Sequence, residues 1–252
     1  MCGIIGLYHP TENVAGEIYD ALIQVQHRGQ DAAGIAAINK NKLSVHKDLG
    51  VVTEVFKTVE SLDLKGNIGI GHVRYPTAGC SDVSEAQPFH TVNPVEICLA
   101  HNGTLTNSDE MREFLLNKKF CKFNTQSDSE VLLNLFAYEL SQTSFEVLES
   151  FHIFSALKEV YKRCEGGFAV AVLVEGVGLV GFRDSNGIRP LVLGKKDDGS
   201  FMVASESSAL SALGYIFESD VNPGEAIIIS EQGSVERKTC SENVSHTPCL
   251  FE

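Results

Sequence analysis

The chain has 252 residues, 43% of them apolar, and its 33 acidic side chains against 20 Lys and Arg give a formal net charge of −13. This size and composition predict a folded protein with a substantial core. They argue against a surface for nucleic acid or an anionic membrane, which needs clustered cationic side chains. No run approaches the roughly 18 apolar residues of a membrane span.

The amino-terminal segment and the cysteines indicate the compartment. The apolar start lacks a basic leader and a cleavage site, so we expect no secretory signal. Seven widely spaced cysteines without a C-x-x-C pair suggest neither a disulfide framework nor a zinc site. A reducing, cytoplasmic location is therefore the expectation.

The first 103 residues predict five strands, two of them paired as a hairpin, and one helix. Residues 3–8 form a buried apolar run, and residues 14–26 place Ile18, Leu22 and Val25 at helical spacing. The remaining elements are a β-hairpin over 33–38 and 42–47, a strand over 67–74, and a strand over 96–103 that runs into a glycine turn.

Helices dominate the middle of the chain and strands its last third. Ser127 is the expected N-cap of the helix predicted over 127–141, because Asp128 lies where that helix should start. Blocks of helices alternating with runs of strands predict α+β layers rather than a regular βαβ repeat. The helices are predicted over 107–117, 127–141, 150–163 and 206–213, and the strands over 168–175, 178–183, 190–194, 201–205 and 225–230.

Cys2 directly follows Met1, and removal of an initiator methionine would make Cys2 the amino terminus. One residue would then carry both a thiol and a free α-amine. With a reference pKa of about 7.7–8.0, that amine is partly neutral near pH 7 and can act as general base for its own thiol. The pattern predicts a nucleophile that needs no histidine partner, although a cysteine at this position is more often incidental when it stands alone.

Three further motifs carry side chains suited to an amide substrate, and each is weak by itself. Asn102 and Gly103 can form an oxyanion hole at a strand end, but Asn-Gly is also a common turn. Arg74 can grip a carboxylate beside a polar candidate lid over 75–85, or it can be an ordinary surface arginine. Asp128 can hold an ammonium group, or it can simply favour the start of its helix.

Together the motifs closely resemble those of the class II glutamine amidotransferases, whose glutaminase domain is an N-terminal-nucleophile hydrolase. Within that class the chain is most similar to the amidophosphoribosyltransferases of purine synthesis, through QHRGQDAAGI, RYPTAG, SEAQPF, RDSNGIRPLVLGK and VASES. The resemblance covers essentially the whole chain. The motifs shared with the class are CGIIG (2–6), HRGQDAAGI (27–35), HVRYPTAG (72–79), HNGTLTN (101–107) and SDSE (127–130).

The resemblance implies an α+β fold, a four-layer αββα sandwich with Cys2 at the end of a central strand. It implies that Cys2 attacks the side-chain amide of glutamine, that ammonia leaves, and that water releases glutamate from a γ-glutamyl thioester. Asn102 and the Gly103 N–H would stabilise the tetrahedral intermediate. Arg28 and Gly29 would hold the amino terminus of the nucleophile.

Recognition of glutamine also follows from the resemblance. Arg74 would bind the α-carboxylate and Asp128 the α-ammonium group. Tyr75 and Thr77 belong to the loop that would close over the substrate. A zwitterionic substrate needs one cation and one anion at a fixed separation, and these residue types supply them.

Relatives continue into a phosphoribosyltransferase domain that binds phosphoribosyl pyrophosphate and Mg²⁺, and this chain stops at about the point where that domain begins. We expect residues 2–252 to be the glutaminase domain alone, with glutamine and the missing domain as partners and a homo-oligomer left open. No metal or cofactor is expected in it, and Mg²⁺ only with the missing domain. No propeptide is expected before Cys2 and no iron–sulfur cluster near Cys249.

Two alternatives stay open at this point. The chain can be the glutaminase of another class II synthase, although RYPTAG and NGIRPLVLG favour the purine enzyme. It can also be a non-catalytic module of the same fold, which a retained Met1 would favour because it blocks the Cys2 amine. We further expect weak glutaminase activity without the acceptor domain.

Overall fold

The structure, a computed structural model, describes residues 1–39, 42–57, 64–75 and 82–252. Its strands form two antiparallel sheets, in the orders β11-β9-β10-β1-β4-β2-β3 and β13-β12-β8-β7-β6-β5, called here the first and the second sheet. The strands are β1 (Gly3–Tyr8), β2 (Ala32–Asn39), β3 (Lys42–Leu49), β4 (Ile68–Arg74), β5 (Phe89–Thr91), β6 (Ile97–Leu105), β7 (Gly166–Val174), β8 (Gly178–Arg183), β9 (Val192–Lys195), β10 (Phe201–Ala204), β11 (Ile216–Asp220), β12 (Glu225–Ser230) and β13 (Val235–Thr239). The helices are α1 (Ala15–Gln24), α2 (Val52–Val55), α3 (Ser108–Asn117), α4 (Asp128–Ser141), α5 (Ser150–Arg163) and α6 (Ser207–Ala212).

The layers stack as helix, sheet, sheet and helix. Helices α1, α2 and α6 pack on the outer face of the first sheet, and α3, α4 and α5 on the outer face of the second. A third apolar cluster, which includes Ile4, Ile70, Ala100 and Ala171, fills the space between the sheets. The predicted four-layer αββα sandwich is therefore confirmed.

Strand β1 shows why an unbroken apolar run marks the centre of this fold. Every residue of β1 is buried. Side chains alternate along a strand, so Ile5 and Leu7 pack under helix α1 while Ile4 and Tyr8 face the second sheet. Because both faces are covered, polar residues do not alternate with the apolar ones.

The predicted helices and strands are confirmed. Helix α1 buries Ile18 and Leu22, and the next residue of the predicted face, Val25, is also buried. Ser127 caps α4, because its hydroxyl accepts the Ser129 N–H at 3.2 Å. The hairpin of β2 and β3 is paired from Ala32–Leu49 to Asn39–Lys42, and residues 40–41 of its turn lie outside the described residues.

The prediction that the strand over 96–103 runs into a glycine turn is wrong. Strand β6 continues through Asn102 and Gly103 to Leu105, with Gly103 opposite Phe168 of β7. Gly103 keeps its place in the ladder at φ +153, a backbone conformation that strongly favours glycine. Pairing with β7 holds this segment in the sheet, so the chain need not turn there.

Three strands, β5, β11 and β13, were not predicted. All three lie at sheet edges. Strand β5 has three residues, and most residues of β11 and β13 are exposed, so none shows a strong apolar pattern. In the described part of the chain, no helix combines the length and the apolar character needed to cross a membrane.

Candidate active site

The strand register of the first sheet places Cys2 beside Arg74. Gly3 of β1 is paired with Val73 of the antiparallel strand β4, so Cys2, which precedes Gly3, and Arg74, which follows Val73, lie at the same end of the sheet. The second sheet brings Asn102 of β6 to this end, and the Cys2 backbone nitrogen donates to its Oδ1 at 3.2 Å. The stacked sheets therefore join residues 100 positions apart in the chain.

Cys2 is partly buried and directly follows Met1. Burial raises the pKa of the Cys2 thiol, and the Tyr75 backbone, the terminal amino group and Arg74 offset only part of that rise. The thiol is therefore protonated near neutral pH. Such a thiol needs a general base before it can act as a nucleophile.

Asn102 and Gly103 present donor groups beside Cys2. The Asn102 side chain is 1% exposed, and its Nδ2 has no hydrogen-bond partner among the described residues. An unpaired buried amide N–H is costly unless a ligand uses it. At Gly103 a Cβ would lie 2.2 Å from the Gly167 oxygen, so only glycine fits between β6 and β7 here.

Arg28 is the centre of a buried ion cluster behind the nucleophile. Its Nε donates to the Cys2 carbonyl at 2.9 Å, its Nη1 to Glu206 at 2.7 Å, and its Nη2 to Glu252. Burial by itself would lower the pKa of Arg28, but the two carboxylates raise it. Arg189 completes the cluster with a 2.5 Å contact to Glu252. The guanidinium is thus held in place on three sides.

Gly29 lies against the end of β4. A Cβ on Gly29 would be 2.4 Å from the Arg74 carbonyl carbon and 2.7 Å from the Tyr75 nitrogen. The Asp31 N–H donates to the Arg74 oxygen at 3.1 Å, which fixes the two segments together. Glycine at this position lets the segment that carries Arg28 approach the one that carries Arg74.

A cavity of about 500 Å³ opens in front of Cys2. Arg74, Tyr75 and Asp128 line it, together with Gly103. Asp128 Oδ2 accepts the Leu105 N–H at 2.9 Å, and Arg74 Nη2 lies 3.9 Å from Glu85. The cavity therefore offers a cation and an anion to one small ligand.

The structure brings together every predicted site residue that it describes. Arg28 and Gly29 support the site from behind and do not line the cavity. Thr77, predicted in the closing loop, lies outside the described residues, as does all of 76–81.

Sequence reasoning missed several residues that complete this arrangement. Glu206, in the VASES motif, and Gln87, in SEAQPF, lie in segments that had been noted only for their resemblance to relatives. Ser129 lies within SDSE, which had drawn attention only to Asp128. Glu252 carried no signal, because a glutamate at the end of the sequence is unremarkable by composition.

Comparison with known proteins agrees with this geometry. Residues 72–212 match the family described as the glutamine amidotransferase domain. The chain belongs to this family. Cys2 and Arg28 lie outside the matched residues, but the fold brings both beside Asn102, which lies within them.

The most similar relatives of this family member include larger enzymes. Amidophosphoribosyltransferase of Escherichia coli (strain K12) is 50% identical over 257 residues, which cover 100% of this chain and 51% of that protein. The Schizosaccharomyces pombe enzyme of the same name is 47% identical over 91% of this chain and 44% of its own length. The glutamine phosphoribosylpyrophosphate amidotransferase of B. subtilis, solved with ADP and GMP, has a TM-score of 0.83 at 32% identity, covering 98% of this chain and 51% of that one.

These comparisons confirm the predicted glutamine amidotransferase and its N-terminal-nucleophile fold. The chain spans about half the length of the curated relatives it matches. The activity of the complete relatives therefore includes functions of a region that this chain does not match.

Proposed function

We propose that this chain is the glutaminase unit of an amidophosphoribosyltransferase. It hydrolyses glutamine to glutamate and ammonia, and the ammonia goes to phosphoribosyl pyrophosphate to form 5-phosphoribosylamine. The observation that carries the proposal is the contact of Cys2 with Asn102, whose side-chain Nδ2 has no partner among the described residues. That unpaired donor beside a cysteine suits an acyl-transfer reaction.

Cleavage after Met1 turns the Cys2 backbone nitrogen into a primary amine. The amine takes the thiol proton, and Cys2 Sγ attacks the side-chain carbonyl carbon of glutamine. The resulting oxyanion receives hydrogen bonds from Asn102 Nδ2 and the Gly103 N–H. The amine then gives its proton to the departing ammonia, leaving a thioester that water cleaves to glutamate. The Arg28 contact with the Cys2 carbonyl keeps the nucleophile at this point throughout.

The two charged groups of the cavity account for the choice of amino acid. Arg74 binds the α-carboxylate of glutamine and Asp128 its α-ammonium group. Tyr75 and Thr77 close over the bound substrate. The helix position of Asp128 is compatible with this role, because its Oδ2 bond to the Leu105 N–H orients the carboxylate toward strand β6.

The acceptor chemistry belongs to a second domain. In this proposal residues 2–252 form the glutaminase domain, and a phosphoribosyltransferase domain holds the acceptor with Mg²⁺. Support comes from two relatives in which the region that matches this chain covers only 51% of the protein. A cytoplasmic location is the proposed setting, and no cofactor is assigned to the glutaminase domain.

The glutaminase proposal is tested by exposing the protein to 6-diazo-5-oxo-L-norleucine, followed by intact mass and peptide mapping. We expect one adduct, on an amino-terminal Cys2, and loss of glutamate production. Cys2→Ser should prevent labelling, whereas Cys121→Ser, which removes another partly buried thiol, should not. Labelling of a chain that lacks Cys2, or no labelling with Met1 removed, would refute the site.

The acceptor step needs its own test. In a chimera, this chain replaces the matching 257 residues of the Escherichia coli relative. Glutamine-dependent formation of phosphoribosylamine by the chimera supports the proposal. A chimera that works with free ammonia but not with glutamine, while this chain still releases glutamate, would point to the glutaminase of a different class II synthase.

A further inference from the structure

The Gln87 side chain lies between strand β6 and helix α4 and forms hydrogen bonds with both. It lies 6% exposed, just before β5, and lines the cavity next to His101 and Ser129. Neither the family motifs nor the chemistry proposed above gives it a task. Its hydrogen bonds suggest one.

The side chain of Gln87 replaces a missing strand partner. Strand β5 pairs with β6 up to Phe89–Leu99, and continuing that register would set Gln87 opposite His101. There the Gln87 Oε1 accepts the His101 N–H at 2.7 Å, and its Nε2 lies 3.4 Å from the His101 oxygen. A primary amide carries the same donor and acceptor as a peptide group, so it completes the ladder at this position.

His101 is the residue directly before Asn102, the proposed oxyanion donor. On its other side β6 is paired with β7 through His101 and Val170. His72 also donates from Nε2 to the His101 oxygen, at 3.2 Å. Without Gln87, the backbone N–H of His101 would be left buried and without its partner, which is unfavourable. Gln87 therefore holds the backbone of β6 at His101, the residue next to Asn102.

The same side chain reaches helix α4, which carries Asp128. Gln87 Nε2 donates to the Ser129 hydroxyl at 3.1 Å, and that hydroxyl is 2.8 Å from His101 Nδ1. One amide thus ties the oxyanion strand to the start of the helix that bears the proposed ammonium ligand. A shift of either element would change the distance between the two ends of a bound glutamine.

The backbone of Gln87 is anchored to the first sheet. A Cβ on Gly34 of β2 would lie 2.1 Å from the Gln87 oxygen, so the two backbones are in close contact. The Lys47 ammonium group of β3 donates to the carbonyls on either side, of Ala86 at 2.5 Å and Pro88 at 3.1 Å. These contacts hold the Gln87 backbone in place against the first sheet, so the position of its side chain beside β6 is also restricted.

We propose that Gln87 is a positioning residue of the glutaminase reaction, holding the Asn102–Gly103 donors in register with helix α4. This inference rests on the proposed glutaminase function. Gln87 acts through His101 and Ser129, and its amide groups are already committed to them. Its loss should impair stabilisation of the oxyanion more than binding of glutamine.

The decisive variant is Gln87→Met, which keeps the length of the side chain and removes its hydrogen bonds. We expect kcat for glutamine hydrolysis to fall about 10-fold to 10²-fold, less than or equal to the loss of one oxyanion donor, with KM within about threefold. Iodoacetamide alkylates Cys2 by displacing iodide and forms no oxyanion, so its labelling rate should stay within about twofold. Gln142→Met, an exposed glutamine on the segment after α4, is the matched control and should keep its kcat.

Ser129→Ala is the second variant, because it removes one partner and leaves the bond between Gln87 and His101. We expect a smaller fall in kcat, about threefold to tenfold, and this variant decides the question if Gln87→Met does not fold. An unchanged kcat in the folded variant, a raised KM with normal kcat, or iodoacetamide labelling slowed as much as turnover would overturn the positioning role. An inactive parent chain with a free Cys2 would instead refute the proposed function, and with it this inference.

Discussion

Replacing Gly29 by alanine would place a methyl group against the backbone of Arg74 and Tyr75. The new Cβ would lie 2.4 Å from the Arg74 carbonyl carbon and 2.5 Å from its oxygen, whereas ordinary contacts begin at 3.4 Å. The atoms nearby are backbone and cannot rotate away, so the two segments must separate by about 1 Å. That displacement moves Arg28, which holds Cys2, relative to Arg74, which we propose binds the substrate carboxylate.

A misplacement of about 1 Å at a reacting centre can cost about 10²-fold in rate. We therefore expect Gly29→Ala to lower kcat/KM for glutamine about 10²-fold, with both a lower kcat and a higher KM. Overpacking of this kind also lowers the free energy of unfolding by about 1–3 kcal/mol. The rate is measured by coupling glutamate release to glutamate dehydrogenase, and the stability by urea unfolding.

Gly16→Ala is the matched control. Gly16 lies in helix α1, and nothing comes within 4 Å of a Cβ built on it. Alanine favours the helix by about 1 kcal/mol, so this variant should be fully active and slightly more stable. A Gly29→Ala enzyme within threefold of the parent in kcat/KM would refute the argument that contact between these two segments sets the site geometry.

Three further changes test other parts of the site. Asn102→Ala should lower kcat about 10²–10³-fold with little change in KM, because it removes a donor to the oxyanion. Glu206→Gln should lower glutaminase activity and cost about 1 kcal/mol in unfolding free energy, because the Arg28 guanidinium loses a charged partner. Burial lowers the pKa of His72 from 6.5 to about 3, so the unfolded chain binds more protons in that window. The free energy of unfolding should therefore fall by up to about 1.4 kcal/mol per pH unit as pH drops from 6.5 toward 3, and His72→Gln should remove that part of the slope.

Each of these has a measurement that can contradict it. Asn117→Ala, an exposed asparagine at the end of α3, controls for the loss of an amide, and equal kcat in both variants would exclude an oxyanion role for Asn102. Equal thermal midpoints for Glu206→Gln and the parent would mean that the remaining carboxylate alone holds Arg28. An unchanged pH slope in His72→Gln would assign acid sensitivity to other groups, among them the buried His101, whose pKa burial also lowers.

The apolar pattern of the sequence predicted those elements in which the apolar residues are themselves buried. Strand β1 is an apolar run because both of its faces are covered, and α1 shows its buried face through Ile18 and Leu22. The edge strands β5, β11 and β13 form through pairing with a neighbour rather than through an apolar pattern, so periodicity did not detect them. The expected turn at Gly103 failed for the same reason, since β7 supplies the backbone partner.

The sequence by itself determined the chemistry available to this protein: a cysteine that can become an amino terminus, an Asn-Gly pair, and one arginine and one aspartate suited to a zwitterion. Only the tertiary structure decided which groups meet. The contact of Cys2 with Asn102 spans 100 residues, and that of Arg28 with Glu252 spans 224. Periodicity and propensity describe how a segment is buried, not which distant segment lies beside it, so the carboxylates around Arg28 and the Gln87 amide became apparent only once the two sheets were stacked.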